Sequence, residues 1–387
     1  MPARRARIWT LRTPRDAAAF LAPAGVPASR EPLPLPCVGV RFAPSASSPP
    51  LSVAAPPGVL VLAGARETAL LGSAPRLRET AHRWGCAEGS DLVQALDRFE
   101  TAERTLRWAD GGTWSLGSRT RIMGIVNVTP DSFSDGGRFV DPADAADRAE
   151  QLVAEGAEIV DVGGESTRPG ARPVTVDEEL ARVLPAIEAI RARLPDARLS
   201  IDTRHAAVAR RALAAGADLV NDVSALRDPE MAGVVAAAGC PVVLMHMRGE
   251  PGTMQRDTRY VDLLGEILDF LGERVDAARA AGIAGDRILV DPGLGFGKSP
   301  EANEQLLRQS GAFHSLGCPV LIGASRKSFI GRRTGIEPPE ARLAGSLAAA
   351  VIAATEGVEL VRVHDVAPTR AALAVADAVR EAGAPRR

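Results

Sequence analysis

An eight-stranded (β/α)8 TIM barrel, preceded by a small N-terminal α/β or irregular extension, is the α/β fold that this sequence predicts. Two observations carry that expectation. Past Arg119, short β-branched runs alternate to the end of the chain with Ala/Leu/Arg-rich stretches of helical period, and eight of the apolar runs stop at Gly, Asp, Asn or another polar boundary. Alternation of that kind builds βαβ units and a parallel sheet. Eight units in roughly 260 residues match the usual size of such a barrel, whereas a doubly wound open sheet more often has five or six strands.

The strands expected, in order, are Ile122–Val126, Ile159–Val162, Leu199–Asp202, Leu219–Asn221, Val242–Met245, Ile288–Asp291, Val320–Gly323 and Leu360–Val363, with a last helix over Pro368–Glu381. The catalytic domain is therefore placed at residues 118–387. Residues 1–117 form an extension of uncertain role. Pro and Ala are abundant there from Pro23 to Pro57, which reads as partly linker, while Gly58–Ala63 looks like a short strand and Leu92–Arg107 like an amphipathic helix, with a further helix-like stretch at Ser73–Arg83.

The bulk composition narrows the function classes. The 387 residues are 46% hydrophobic and 24% charged, enough for a packed core, and a formal charge of -2 gives no global field to recruit nucleic acid or an anionic membrane. No stretch approaches the ~20 apolar residues that span a bilayer. The apolar Ala17–Ala28 follows a basic start but is preceded by Arg15 and Asp16 and broken by Pro23 and Pro27, unlike a signal peptide. Cys37, Cys86, Cys240 and Cys318 are widely spaced with no C-x-x-C pair, so a cytoplasmic location is expected.

In a barrel of this kind the chemistry stands at the C-terminal strand ends and in the loops after them. Polar groups stand at nearly all of these. The first strand runs into Asn127-Val-Thr-Pro-Asp-Ser-Phe133-Ser-Asp-Gly-Gly137 and the second into Gly163-Gly-Glu-Ser-Thr167-Arg168-Pro169-Gly170, both glycine-bounded loops. Asp202, Asn221 and Asp291 end the third, fourth and sixth strands; Ser325-Arg-Lys327-Ser328 follows the seventh, and Arg362-Val-His364-Asp365 closes the eighth. The short acceptors Asp202, Asn221 and Asp291 suit a flat heterocycle with adjacent N–H donors. Arg362 and His364 alternate on one strand and, with Asn127 and nearby glycine amides, suit a phosphate or diphosphate. Asn127, a neutral oxygen donor, suits a Mg²⁺ that leans on those phosphates.

These same segments carry a family resemblance. Ile122-Met-Gly-Ile-Val-Asn-Val-Thr-Pro-Asp-Ser-Phe-Ser-Asp-Gly-Gly137 and Asp161-Val-Gly-Gly-Glu-Ser-Thr-Arg-Pro-Gly170 resemble the two signature segments of dihydropteroate synthase, and further segments agree across the barrel: Ser200–Thr203, Val220–Val223, Leu244–Met254, Asp291–Lys298, Gly323–Ser328 and Arg362–Asp365. The resemblance implies a transferase that condenses 6-hydroxymethyl-7,8-dihydropterin diphosphate with 4-aminobenzoate, giving 7,8-dihydropteroate and diphosphate in folate biosynthesis. It implies Mg²⁺ as cofactor, with Asn127 as its protein ligand, small-molecule substrates as partners and a homodimer. It places the pterin on Asp202, Asn221, Met245, Asp291, Phe296 and Lys327, and the diphosphate on Asn127, Thr167, Arg362 and His364. Phe133, Arg168, Pro169 and Ser328 shape the aminobenzoate pocket, where sulfonamides also bind in this family. Catalysis is expected from Asp202, Asp291, Lys327, Arg362 and His364.

Blander roles compete at several positions. An Asp or Asn at a strand end is often only a helix cap or turn residue. His246, between Met245 and Met247, is expected to be a packed, hydrogen-bonded histidine, those methionines to pack beneath a ring, and Arg204–Arg211 to be a solvated face. Gly293-Leu-Gly-Phe-Gly297 lacks the G-x-G-x-x-G spacing of a nucleotide loop. Two rival functions remain in view. A methyltetrahydrofolate-dependent methyltransferase would share the ring acceptors but has no diphosphate to expel, and a non-catalytic pterin-binding paralogue would be expected to have lost Asn127, Lys327, Arg362 or His364.

Overall fold

The computed structural model describes residues 6–11, 20–24, 37–42, 59–63, 68–84, 87–129, 141–166 and 173–383. The chain divides into two compact units, one of Met1–Thr101 with Tyr260–Asp269 and Gly311–Gly317, the other of Ala102–Arg259, Phe270–Ser310 and Cys318–Arg387.

In the first unit β1 (Arg7–Leu11), β2 (Cys37–Phe42), β3 (Leu60–Ala63) and β4 (Thr68–Gly72) pair antiparallel in the order β1-β2-β4-β3. Helices α1 (Ala74–Trp84) and α2 (Ala87–Glu100) follow, and Ile8, Val40, Leu70, Leu77, Leu92 and Leu96 form their shared core. The extension is thus α/β. Within the Pro/Ala-rich stretch Cys37-Val-Gly-Val-Arg-Phe42 forms a strand, β2, with β-branched residues between its prolines, while most of the stretch read as partly linker lies outside the described residues. One expectation is corrected here. The expected helix Leu92–Arg107 stops at Glu100, and its end is a strand, β5 (Arg104–Arg107), whose side chains alternate buried and exposed.

The second unit opens with β5 paired antiparallel to β6 (Thr113–Leu116) across a turn built from Asp110, Gly111 and Gly112. Gly111 has φ +86°, a left-handed backbone that glycine adopts without strain. Leu106, Trp108 and Leu116 of this hairpin pack on Met123, Ile159, Leu219, Val243, Leu289, Leu321 and Leu360, which lie at or near the first residues of the barrel strands. The hairpin therefore plugs the bottom of the barrel. A buried ion pair at 2.9 Å from Arg104 to Glu359 pins it, and Glu359 also accepts from the Val320 amide.

The eight barrel strands are β7 (Arg121–Asn127), β8 (Ile159–Gly163), β9 (Arg198–Asp202), β10 (Leu219–Asp222), β11 (Val242–Met245), β12 (Ile288–Asp291), β13 (Leu321–Ile322) and β14 (Leu360–Val363). All pairings are parallel and sequential; β14 returns to β7, and a parallel bridge from Val290 to Val320 joins β12 to the start of β13. Strand β13 is shorter than the expected Val320–Gly323. Around the sheet run α3 (Pro142–Glu155), α4 (Val176–Arg193), α5 (Ala206–Ala214), α6 (Met231–Ala238), the part of α7 (Leu263–Ala280) from Phe270 on, α8 (Pro300–Arg308), α9 (Ser328–Thr334), α10 (Leu343–Thr355) and α11 (Val366–Gly383). Several begin as their sequences dictate: Asp141 caps α3 before Pro142, Thr175 and Glu178 form a reciprocal box on α4, and Ser299 caps α8 before Pro300. Register then fixes the site, since Asn127, Gly163, Asp202 and Asn221 are neighbours across β7, β8, β9 and β10 and so stand on one level.

Candidate active site

One guanidinium organises the barrel mouth. Arg362, on β14, donates from Nε to Asp161 Oδ2 at 2.6 Å and from Nη2 to Asp202 Oδ2 at 2.8 Å. Asn221 Nδ2 donates to the same Asp161 oxygen at 3.1 Å. Asp161 is fully buried in the middle of β8, one inward-facing position before Gly163. Position 163 carries no side chain, and a Cβ there would lie 3.4 Å from that of Asp202 and 3.8 Å from Asn127 Oδ1, so these two side chains flank one spot. Asp161 opened a signature segment but was not placed in the site by sequence reasoning.

Opposite stands the β12 end. Asp291 Oδ1 accepts from Gly293 N at 2.7 Å, which curls the following loop back over the strand. Gly293 has φ +70°, and a Cβ on it would sit 1.9 Å from the His246 carbonyl oxygen, so only glycine fits this turn. Lys327 donates to the Leu294 carbonyl, and its ammonium lies 4.6 Å from the centroid of the Phe296 ring. A Cβ on Gly323 would stand 3.8 Å from Arg362 Cβ and 3.9 Å from Lys327 Nζ, so the Lys327 ammonium and the base of the Arg362 side chain flank that position. Phe296 packs on Val223, Met245, Met247 and Met254, which form an apolar wall beside the acceptors.

Lys298 fastens the same loop from inside. Its buried ammonium reaches His246 Nδ1 at 2.9 Å, the His246 carbonyl at 3.3 Å and the Phe296 carbonyl at 2.9 Å. Burial, then the Lys298 charge, push the His246 imidazole down to about 2, so it stays neutral and its Nδ1 can accept. His246 also stands edge-on to Phe270 at 5.0 Å, a packed and hydrogen-bonded histidine.

Just past the end of β14, His364 Nδ1 is 3.0 Å from Ser325 Oγ, and its amide donates to the same oxygen at 3.2 Å. Arg326 next to it adopts φ +60°, a strained backbone for a side-chain-bearing residue, held by a two-pronged ion pair to Asp365 at 3.0 and 2.5 Å and by Ser346 Oγ on its amide. Ser328 is exposed at the start of α9. Phe133, Thr167, Arg168 and Pro169 lie outside the described residues. Arg204, read from sequence as part of a solvated face, instead pairs with Glu165 through two bonds of 2.9 and 3.0 Å and reaches Glu250, because folding brings three loops of opposite charge together. Beside it His205 Nδ1 meets the buried Glu179 at 2.7 Å.

The electrostatics follow from crowding charge in a buried space. Burial is the main force raising Asp202; Arg362 opposes it and Asp161 adds to it, leaving the carboxyl at about 7. Burial likewise raises Asp291, against Lys327. Lys327 is lowered to about 8 by burial, with Asp291 opposing. For Arg362 burial works against the charge, but Asp161 and Asp202 more than offset it and keep it firmly cationic. The arrangement can therefore accept hydrogen bonds from a flat polar ring, face it with an apolar wall, and offer cations to an anion beside it.

Comparison with known proteins places this geometry. The model of the pterin binding enzyme family matches residues 123–364. A dihydropteroate synthase of Synechocystis sp. is 49% identical over 264 residues, covering 68% of this chain and 91% of the relative. Among solved structures, the Yersinia pestis dihydropteroate synthase with a sulfonamide drug complex is 45% identical with a TM-score of 0.68, covering 72% of this chain and 99% of that one. The Xanthomonas albilineans dihydropteroate synthase with 4-aminobenzoic acid is 49% identical with a TM-score of 0.67, covering 73% and 100%.

Proposed function

The chain belongs to the dihydropteroate synthase family of pterin-binding enzymes, and from that premise we infer how its own residues divide the work of the condensation. It is a transferase of folate biosynthesis that joins 6-hydroxymethyl-7,8-dihydropterin diphosphate to 4-aminobenzoate, releasing diphosphate and forming 7,8-dihydropteroate. The observation that carries the assignment of roles is Arg362 shared between Asp161 and Asp202 at the barrel mouth.

Asp202, Asn221 and Asp291 accept the ring's donors, Lys327 and Phe296 flank the ring, and Met245 lies in the wall it packs against. Arg362 uses Nε and Nη2 on carboxylates; Nη1 has no partner among the described residues and is the donor left for an incoming diphosphate oxygen. His364, oriented by Ser325, and Thr167 serve the same anion. As diphosphate leaves, cations beside it take up the negative charge growing on the leaving oxygen, and the Asp202 carboxylate stabilises the positive charge left on the pterin methylene. The amine of 4-aminobenzoate then attacks from the side shaped by Phe133, Arg168, Pro169 and Ser328, forming the C–N bond and giving up one proton to solvent, and a sulfonamide would compete there.

A Mg²⁺ fits Asn127. No group of three His, Cys, Asp or Glu able to hold a metal occurs among the described residues, and a Mg²⁺ carried by substrate phosphates needs only one or two protein oxygens. The Asn127 Oδ1 beside Gly163 is such an oxygen, and the ion would supply charge neutralisation to the leaving diphosphate. A homodimer through the outer helices is favoured by the exposed Ile352 on α10 and by Val375 and Val379, one turn apart on α11. Cytoplasmic residence is supported by the thiols of Cys37, Cys240 and Cys318, buried and not joined in a disulfide among the described residues.

Substitution tests the roles directly. Asp202→Ala and Arg362→Ala are each expected to lower turnover at least ~100-fold, the scale of losing a preorganised charge at a transition state. An Asp202→Ala enzyme that kept the full rate would sink this assignment.

A further inference from the structure

We propose that Asp161 is a positioning residue for the reaction: by holding Arg362 through Nε and Asn221 through Nδ2, it keeps the guanidinium from closing onto Asp202. The inference rests on the roles given above to Arg362 and Asp202.

The middle of β8 is a costly place for a carboxylate. Its neighbours Ile159, Val160 and Val162 are fully or nearly fully buried and apolar, and an aliphatic side chain would serve packing better there. Asp161 Oδ1 finds no hydrogen-bond partner among the described residues, so half of the carboxylate contributes nothing to local satisfaction. The other oxygen is taken entirely by two site groups, Arg362 and Asn221. A buried charge whose partners among the described residues are both side chains assigned above to substrate is placed for the site rather than for the core.

What it prevents follows from guanidinium chemistry. Arg and a carboxylate prefer a two-pronged fork, and Asp202 lies close enough to form one. With Nε committed to Asp161, only Nη2 reaches Asp202, and Nη1 stays available to an anion. Without Asp161, the fork would close. Arg362 would be drawn onto Asp202 through Nε and Nη2, swinging Nη1 away from the diphosphate and taking an acceptor from the ring in one movement, while Asn221 lost its anchor.

Three variants at Asp161, two at Arg362 and one measurement on the unaltered enzyme test this. Asp161→Ala, checked for folding by circular dichroism, is expected to lower kcat at least tenfold and weaken calorimetric binding of the pterin alcohol and of Mg-pyrophosphate several-fold. KM for 4-aminobenzoate should move less than twofold. Asp161→Asn, which keeps an acceptor oxygen for Nε, should recover part of both losses; Asp161→Leu, which packs but accepts nothing, should recover neither. In the unaltered enzyme labelled with ¹⁵N-arginine, the Arg362 Nε–H signal, identified by its loss in Arg362→Lys, should exchange slowly with solvent. Asp161→Leu with unaltered kcat and ligand binding would overturn the proposal, as would an Nε–H that exchanges as fast as surface arginines. The exchange and calorimetric readouts need no turnover. Slow exchange together with an Arg362→Ala enzyme of full activity would refute the catalytic role of Arg362 while leaving the clamp itself standing.

Discussion

At the scale of single residues, the site keeps its acid and base near neutrality by burial. Asp202 titrates at about 7 and Lys327 at about 8 in the free enzyme, one raised and the other lowered by the same desolvation. The signs give the profile. As pH falls through about 7 the Asp202 carboxylate is lost, and as pH rises through about 8 the Lys327 ammonium is lost, so kcat/KM for the pterin diphosphate should be bell-shaped between those limbs. Lys327→Arg should carry the alkaline limb upward, because a guanidinium stays charged throughout the range. An alkaline limb that did not move in this variant would show that another group sets it. Most of the short polar side chains at the barrel mouth were legible in sequence because such a group directly after an apolar run is conspicuous. Asp161 was harder to place: it sits inside its run, where nothing local separates a site carboxylate from an internal polar residue. Nor could the sequence divide Arg362 between functions, since its pairing with Asp202 joins the ring and phosphate sets.

At the scale of elements, two short pieces support the barrel mouth and base. The loop Gly293–Lys298 is fastened by Asp291, Lys327 and Lys298 together, and its glycines answer close backbone approach. Lys298→Met should free the loop from His246 and Phe296, raising KM for the pterin diphosphate about five- to a hundredfold, the equivalent of the ~1–3 kcal/mol a buried unsatisfied group costs, with KM for 4-aminobenzoate nearly unchanged. Equal rises in both would show a general loosening instead. At the base, Trp108 is fully buried, edge-to-face with Trp114 at 4.8 Å and covered by the Arg198 guanidinium at 4.6 Å. Trp108→Ala should cost about 3–5 kcal/mol in urea unfolding, as large aromatic truncations do. A loss within error of zero would mean the hairpin does not close the barrel. Sequence periodicity missed this hairpin because its strands are four residues each, and the first follows a helix whose pattern runs on into it.

At the scale of the whole molecule, the barrel was legible because each parallel strand, covered on both faces, reads as an apolar run ending at a polar group. Even β13, only two residues long, was found by its run. The N-terminal unit was less so: its antiparallel strands lie among prolines and alanines, and what orders them is distant in sequence. Arg7 and Arg41 both reach Asp262, more than two hundred residues away within the same compact unit, and no local window contains both partners.

The central claim is that strand-end residues of this barrel expel diphosphate before the amine bonds. Release of diphosphate from the pterin diphosphate, followed with Mg²⁺ in the presence and absence of 4-aminobenzoate, tests it most directly. The account predicts fast release with the amine, slow but enzyme-dependent release without it as water captures the cation, and loss of both in Arg362→Ala. Release that required 4-aminobenzoate absolutely would contradict the order of steps, and no release under any condition would contradict the assignment of this site.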